Sequence, residues 1–225
     1  MRWLSSYIRS LSSTAEFRIV IVAAFVPPIA NSQMFLLGLN ASNIEAGDLR
    51  ALVIKEAVAL LALGWFLSIR GWNFAGLSAY PSWRDILMGA IFCIMFSQVW
   101  SVAWEGLRLI VPQALVLPPS VDFTLGLDWP TLLAVCVINP LFEELMVCGY
   151  VISALSERHG QGFAIGTSVA LRMAYHTYQG LEGVSAMMLW GILFGFWFAR
   201  TGRLWPLIVA HALADFFPLV RFAMA

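Results

Sequence analysis

The segment from Ile138 to Tyr150 reads INPLFEELMVCGY, and in it two adjacent carboxylates, Glu143 and Glu144, stand inside an otherwise apolar run just after an Asn-Pro pair. An ionised carboxylate in hydrocarbon costs roughly 2.5–3.5 kcal/mol on the translocon scale, so a buried acid needs a partner, water or a function. Successive helical residues point about 100° apart, so the two acids are expected to face different neighbours. One addresses a hydrated cavity and the other makes a supporting contact. Two of the three histidines lie in the same half of the chain, His176 in LRMAYHTYQG and His211 in LIVAHALADFF. Asp215 follows His211 by four residues, which stacks the two side chains on one helical face. The third histidine, His159, falls in the polar turn SERHGQG and is expected to be solvated.

Peptide hydrolysis inside a membrane suits this set. It needs a base to activate water and donors to stabilise a developing oxyanion. A glutamate supplies the base, a histidine beside it holds the same water, and a second histidine oriented from one turn away donates to the oxyanion. Other readings of the same residues stay open. His211 with Asp215 also fits a packing pair between helices, and the two glutamates also fit an ion pair with an arginine elsewhere. Histidine and glutamate are zinc ligands too, although no H-E-x-x-H pattern occurs. Buried acids that bind a cation or relay protons would instead make a transporter. Lys55 and Glu56 read as a peripheral, snorkelling pair.

The elements that position these groups follow from composition. The chain has 225 residues, 60% hydrophobic and 12% charged, which is the balance of a membrane protein. A spanning helix needs about 20 apolar residues, and on that criterion there are about seven segments, near 19–39, 51–69, 86–111, 129–155, 162–179, 183–199 and 204–222. The fold class is therefore all-α, a polytopic transmembrane bundle. The last four segments are joined by very short connections, so neighbours are antiparallel. Arg2, Arg9, Arg18, Arg70, Arg84, Arg158, Arg200 and Arg203 fall on one side, which makes that side and the N-terminus cytoplasmic, while Arg50, Lys55, Arg108 and Arg221 lie on or near the other. Trp72, Tyr80, Trp83, Trp129 and Trp205 read as interface anchors, and 112–128 as an irregular outer loop.

Formal net charge is zero, which gives no sign of a nucleic-acid partner. The three cysteines, Cys93, Cys136 and Cys148, sit in apolar runs without CxxC spacing and read as packing residues. The N-terminal stretch MRWLSSYIRSLSSTAEFR reads as an interfacial amphipathic segment rather than a signal peptide.

At EELMVC (143–148), RMAYH (172–176) and HALAD (211–215) the sequence resembles the CAAX protease and bacteriocin-processing (Abi) family of glutamic intramembrane endopeptidases, which includes the type II CAAX prenyl endopeptidases. That family carries E-E-x-x-x-R, F-x-x-x-H and H-x-x-x-N/D motifs on successive spans, and the resemblance covers about 130–216. It implies that Glu143 activates water with His176, that His211 and Asp215 serve the oxyanion, and that Glu144 supports the site. It also implies a metal-free mechanism without a cofactor, and a membrane-associated protein or peptide as substrate. Residues 1–128 would form the amphipathic segment and three accessory spans, and 129–225 a four-helix catalytic core.

Two positions depart from the family pattern. Cys148 stands where the motif has arginine, and Arg172 where it has phenylalanine. Arg172 is expected to supply, from the neighbouring span, the cation that pairs with the acidic motif. A catalytically silent relative, or Cys148 acting as a nucleophile, are the other consequences of the same departures.

Overall fold

The fold is that of a computed structural model describing residues 2–39, 43–73, 80–111, 122–123 and 126–223. Helix α1 (Arg2–Ser10) is short and two-faced, with Ile8 buried and Trp3, Leu4 and Tyr7 exposed. Each of the next three helices opens on a polar cap that satisfies amides left free at a helix start. Ser12 accepts the Ala15 amide at 3.1 Å ahead of α2 (Ser13–Leu36). Asp48 accepts the Glu45 amide at 2.9 Å at the start of α3 (Ala46–Ile69), and Asp85 accepts the Ser82 amide at 2.9 Å at the start of α4 (Trp83–Arg108).

Helix α5 (Trp129–Glu144) begins where Asp128 accepts the Thr131 amide at 2.9 Å. It runs on through a π-helical segment, Leu145–Ile152, into α6 (Ser153–His159), so one rod extends from Trp129 to His159. Gly160, at φ 82°, stops the rod in a conformation that favours glycine, and α7 (Gln161–Tyr175) follows at once. A 3₁₀ turn over Thr177–Gln179 leads to α8 (Gly180–Thr201), and Gly202, left-handed at φ 65°, ends α8 before α9 (Trp205–Ala223). Two-residue strands β1 (Asn43–Ile44) and β2 (Asp122–Phe123) pair in parallel.

Among the described residues, five stretches are long and apolar enough to cross a membrane: Ser13–Leu36, Ala46–Ile69, Trp83–Arg108, Trp129–His159 and Thr177–Thr201. The expected 162–179 and 204–222 segments correspond to α7 and α9, which are not among them. Helix α7 has only 15 residues against the roughly 20 a span needs.

The core is centred on the C-terminal half, where every residue of the π segment is buried, and Val20, Phe25 and Leu67 of the N-terminal helices join it. Helices come close where glycine faces a neighbour. A Cβ on Gly195 of α8 would meet Ile165 at 2.8 Å, and one on Gly191 would meet Val169 at 3.2 Å, so this pair brings α8 against α7 beside Arg172. Gly89 lets α4 press on Val209 of α9 in the same way.

Two buried acids tie the N-terminal helices to this core. Glu16 of α2, buried, accepts from Arg70 Nε at 2.6 Å, Trp72 Nε1 at 2.7 Å and Tyr150 Oη at 3.2 Å. Asp85 of α4, also buried, accepts from Arg203 Nη2 at 2.7 Å. Trp72 is therefore engaged with a buried carboxylate and half-exposed. Tyr80, Trp83 and Trp129 are exposed, while Trp205 is half-buried. His159 is exposed at the end of α6. Most of the expected outer loop, 112–121 and 124–125, lies outside the described residues.

Candidate active site

The acidic pair sits where one hydrogen-bonding pattern hands over to another. Pro140 has no N–H to give the carbonyl one turn back, and directly after Glu144 the helix widens into the π segment. Both acids are buried, Glu144 completely.

Glu144 is saturated. Arg172 grips it from α7 with both ends of its guanidinium, Nη1 to Oε1 at 2.9 Å and Nη2 to Oε2 at 2.7 Å, and Arg172 is itself fully buried. His211 of α9 adds Nδ1 to Oε1 at 2.7 Å, and the Cys148 thiol donates to Oε2 at 3.5 Å from one turn along its own rod. Phe194 of α8 lies against the guanidinium, 5.8 Å from ring centroid to Cζ.

Glu143 is held more loosely. The hydroxyl of Tyr175 donates to its Oε2 at 2.7 Å, and Arg172 Nη1 stands 3.7 Å from the same oxygen. One arginine thus reaches both acids, where the helical angle between them had suggested separate neighbours. The guanidinium is broad enough to bridge that angle, but it does so unequally, bidentate to one carboxylate and distant from the other.

His176 caps the C-terminal end of α7, and its Nδ1 lies 2.9 Å from the carbonyl oxygen of Arg172. A carbonyl only accepts, so Nδ1 carries the proton and donates, which leaves Nε2 with the lone pair. The ring packs on Tyr175 at 4.5 Å between centroids and is buried. On the far side, His211 Nε2 lies 3.7 Å from Asp215 Oδ1, and Asn139 donates to Asp215 Oδ2 at 3.1 Å.

All seven residues named from the sequence, Glu143, Glu144, Cys148, Arg172, His176, His211 and Asp215, therefore belong to one connected network from three rods, with Arg172 and Glu144 at its centre. Cys148 touches Glu144 and is wholly buried, an arrangement suited to a packed donor and not to an attacking thiolate.

One further residue, Asn139, joins the site, and another, Glu56, departs from its expected place. In the sequence Asn139 stands out only as part of an Asn-Pro pair, yet it lies four residues before Glu143, on the same helical face, and donates to Asp215. Glu56 was read as peripheral beside Lys55. Lys55 is indeed exposed, but Glu56 is buried, on a helix, α3, that packs along α5. The angle between successive helical residues turns one outward and the other inward.

The network leaves one carboxylate, Glu143, with an oxygen that no protein group binds among the described residues, and one imidazole, His176, with a free lone pair on Nε2. A base and an acceptor of this kind handle a water molecule. A set of three or more side chains arranged to hold a metal ion does not occur among the described residues. Two clefts, of about 580 Å³ beside Asp85 and Arg203 and about 260 Å³ beside Glu16 and Tyr150, lie at the ion pairs of the N-terminal helices and not at this network.

No curated protein and no solved structure gives a match to the chain. Residues 125–217 match the family model described as Rce1-like, type II CAAX prenyl endopeptidase. That stretch spans the acidic motif and both histidine motifs, and it identifies an Rce1-like segment in this chain, consistent with the CAAX protease and Abi family.

Proposed function

We propose that this integral membrane protein is an intramembrane endopeptidase in which Glu143 activates water. The Rce1-like match points to a protease generally. The observation that carries the finer reading is the division of labour between adjacent acids: Glu144 is clamped by Arg172 and His211, while Glu143 retains a carboxylate oxygen without a protein partner.

In this reading a water sits between Glu143 and His176 Nε2. Glu143 takes a proton from it as the oxygen adds to the carbonyl carbon of the scissile peptide. His211, fixed to Glu144 through Nδ1 and steadied on its other side by Asp215, offers Nε2–H to the oxyanion. The C–N bond then breaks, and Glu143 passes its proton to the leaving nitrogen. No step needs a metal or a cofactor.

Arg172 replaces the family's motif arginine in function. The motif would place that cation at 148, one turn after Glu144 on the same rod, whereas here it arrives from α7 and meets the same carboxylate. The substrate is a membrane-associated protein or peptide, cut near its end, with a lipid or C-terminal tag as the feature that holds it in the bilayer. We assign 1–128 as the accessory unit and 129–225 as a four-helix catalytic core. Helices α7 and α9 also lie at bilayer depth, which gives about seven spans. The arginine-rich side, including the N-terminus, faces the cytoplasm, and the membrane is the bacterial inner membrane.

The test incubates purified protein with a fluorogenic farnesylated peptide carrying a C-terminal Cys-aliphatic-aliphatic-X sequence, and with unprenylated membrane peptides, in the presence and absence of a chelator. Cleavage by the native protein, abolished in Glu143→Gln and indifferent to the chelator, is expected. Chelator-sensitive cleavage would replace the glutamic mechanism with a metal-dependent one, and cleavage by Glu143→Gln at the native rate would remove Glu143 from it.

A further inference from the structure

His176 reaches the candidate site at a sharp stop in the chain: α7 ends at Tyr175, and the 3₁₀ turn Thr177–Gln179 carries the backbone away toward α8. At a helix end backbone groups lose their partners one turn away, and other groups have to take them. In a continuing helix the Tyr178 amide would donate to the Ala174 carbonyl. Here the two are served separately. The hydroxyl of Thr177 donates to the Ala174 carbonyl at 3.2 Å, and the Tyr178 amide donates at 2.9 Å to Oγ of Ser32, a residue of α2 that lies 146 positions earlier in the chain.

The direction of each proton in this junction follows from what a hydroxyl carries, one hydrogen and two lone pairs. Thr177 gives its hydrogen to Ala174 and accepts one from Gln33 Nε2 at 2.9 Å, so at the 2.7 Å contact between the two hydroxyls Ser32 is the donor. Ser32 therefore donates to Thr177 and accepts from Tyr178, and at 1% exposure it makes both bonds out of solvent. Rings of the same helix brace the turn on either side. Phe25, Ser32 and Phe35 are spaced seven and three apart, as on one helical face. Phe25 lies 6.2 Å from Tyr175, whose hydroxyl holds Glu143, and Phe35 lies 6.1 Å from Tyr178, which in turn stacks on His176 at 6.2 Å. Among the described residues the imidazole of His176 is hydrogen-bonded through Nδ1, to the Arg172 carbonyl, so the aim of Nε2 depends on where the backbone of 176–178 is held.

We propose that Ser32 is a positioning residue for His176: it fixes the turn after α7 so that Nε2 of the imidazole points at the water that Glu143 activates. This rests on the proteolytic reading of the site. It also makes α2, which lies outside the family-matched stretch 125–217, part of what the site needs.

With three histidines in the chain, His159, His176 and His211, the geometry is open to direct measurement. Protein labelled with ¹⁵N at histidine is compared by NMR in detergent micelles as native, Ser32→Ala, Thr177→Val and Thr177→Ser, with signals assigned by replacing His159 and His176 in turn with Gln. Native His176 is expected to show a single tautomer with the hydrogen on Nδ1. Ser32→Ala and Thr177→Val are expected to move its two nitrogen signals toward the mean of exchanging tautomers while those of His211 stay in place, and Thr177→Ser, which keeps the hydroxyl, stays native. In the cleavage assay with the farnesylated peptide, Ser32→Ala and Thr177→Val are expected to lower kcat about tenfold to a hundredfold with KM within about twofold, as misplacement of a water-holding group does. The double variant loses less than the product of the two, because both cut one junction. Val20→Ala deletes buried packing from α2 away from the turn, and it is expected to lower the melting temperature without moving the His176 signals or kcat.

Native His176 signals in Ser32→Ala overturn the proposal. So do signals that move only in step with those of His211, as general loosening of the fold produces, and so does an unchanged kcat in a protein that cleaves. Should Ser32→Ala fail to fold, Thr177→Val removes the bond between the hydroxyls from its half-buried side and decides by the same criteria. The proteolytic reading is scored apart. Release of His176 in Ser32→Ala without any cleavage by the native protein would defeat the endopeptidase reading and leave the positioning of His176 standing, and Glu143-dependent cleavage with His176 and kcat both native in Ser32→Ala would do the reverse.

Discussion

The three apolar helices of the first 108 residues and the rod from Trp129 to His159 all pass for membrane spans, yet they meet different surroundings. In the N-terminal helices 22%, 17% and 11% of the apolar window is buried inside the protein, against 61% in the rod. Side chains such as Ile54, Val58, Leu61 and Trp65 of α3 face outward, as expected of helices that meet lipid, whereas the π segment of the rod is covered on all sides. Polarity follows the same division. The N-terminal helices carry isolated acids at the points where they touch the core, and the C-terminal half gathers its polar side chains into one network. Hydrophobicity therefore assigns the solvent of a helix, but the number and coupling of its polar residues assign its place in the bundle.

Breaking the centre of the network is expected to do most damage. Arg172→Ala leaves Glu144 buried without its cation, which costs about 3–5 kcal/mol in stability and removes activity with it. Thermal unfolding in detergent checks this. Adding Cys148→Arg restores a cation one turn from Glu144 and is expected to recover folding and part of the activity. If the second change recovers nothing, the transposed arginine is not equivalent to the motif arginine. Arg70→Ala is the matching cut in the N-terminal half. It leaves Glu16 its hydrogen bonds from Trp72 and Tyr150, so its cost is expected to be clearly smaller. Equal losses would erase the distinction between the two regions.

Glu143→Gln comes next. In the proposed mechanism it removes the general base, and it is expected to lower the cleavage rate by about 10²–10⁴-fold. Stability should hardly change, because a glutamine side chain keeps an oxygen for the Tyr175 hydroxyl. The kinetic assay and the melting temperature together separate this from the Arg172 result, in which both fall.

How much of this was legible in the sequence depends on the size of the signal at each position. The acids and histidines of the C-terminal half stood out because charge inside an apolar run is rare, and Arg172 stood out by falling on a motif position. Asn139 gives no such signal, because an Asn-Pro pair already has a local explanation as a helix irregularity. Glu56 was misread for a related reason: next to Lys55 it looked like half of a surface pair, and only the helical phase against α5 separates the two. The π segment left no mark, since LMVCGYVI suits an α-helix equally well. The count of about seven spans rests on runs of about 20 largely apolar residues, and a run of that kind does not show the turn at His176 that ends α7 and brings the histidine to the site.

The links between regions should yield smaller effects. Arg203→Gln breaks the pair with Asp85, whose partner is partly exposed, and is expected to cost about 1 kcal/mol. The measurement is the melting temperature at low and high salt, and the difference between Arg203→Gln and the native protein should shrink as salt rises. A difference that does not shrink would mean that Arg203 acts through packing.

The smallest effect is expected at Asp128, which starts the rod from outside the apolar stretch. The backbone N–H and then the hydroxyl of Thr131 hold its carboxyl below the usual range, with Arg50 adding a little at 3.5 Å. A carboxyl whose value is lowered by folding contributes stability above its unfolded value, and that contribution is lost as pH falls through the lower, folded value. Asp128→Asn keeps a capping oxygen and deletes the charge, so the comparison isolates the charge from the cap. Native protein is expected to melt slightly higher than Asp128→Asn near neutral pH, with the two converging as the medium becomes acidic. Because the cap is exposed and concerns the first turn only, activity at the buried network should be the same in both. A loss of cleavage in Asp128→Asn would show that the two ends of the rod are coupled through the π segment, and the boundary between an anchored scaffold and a separate site would then have to be redrawn.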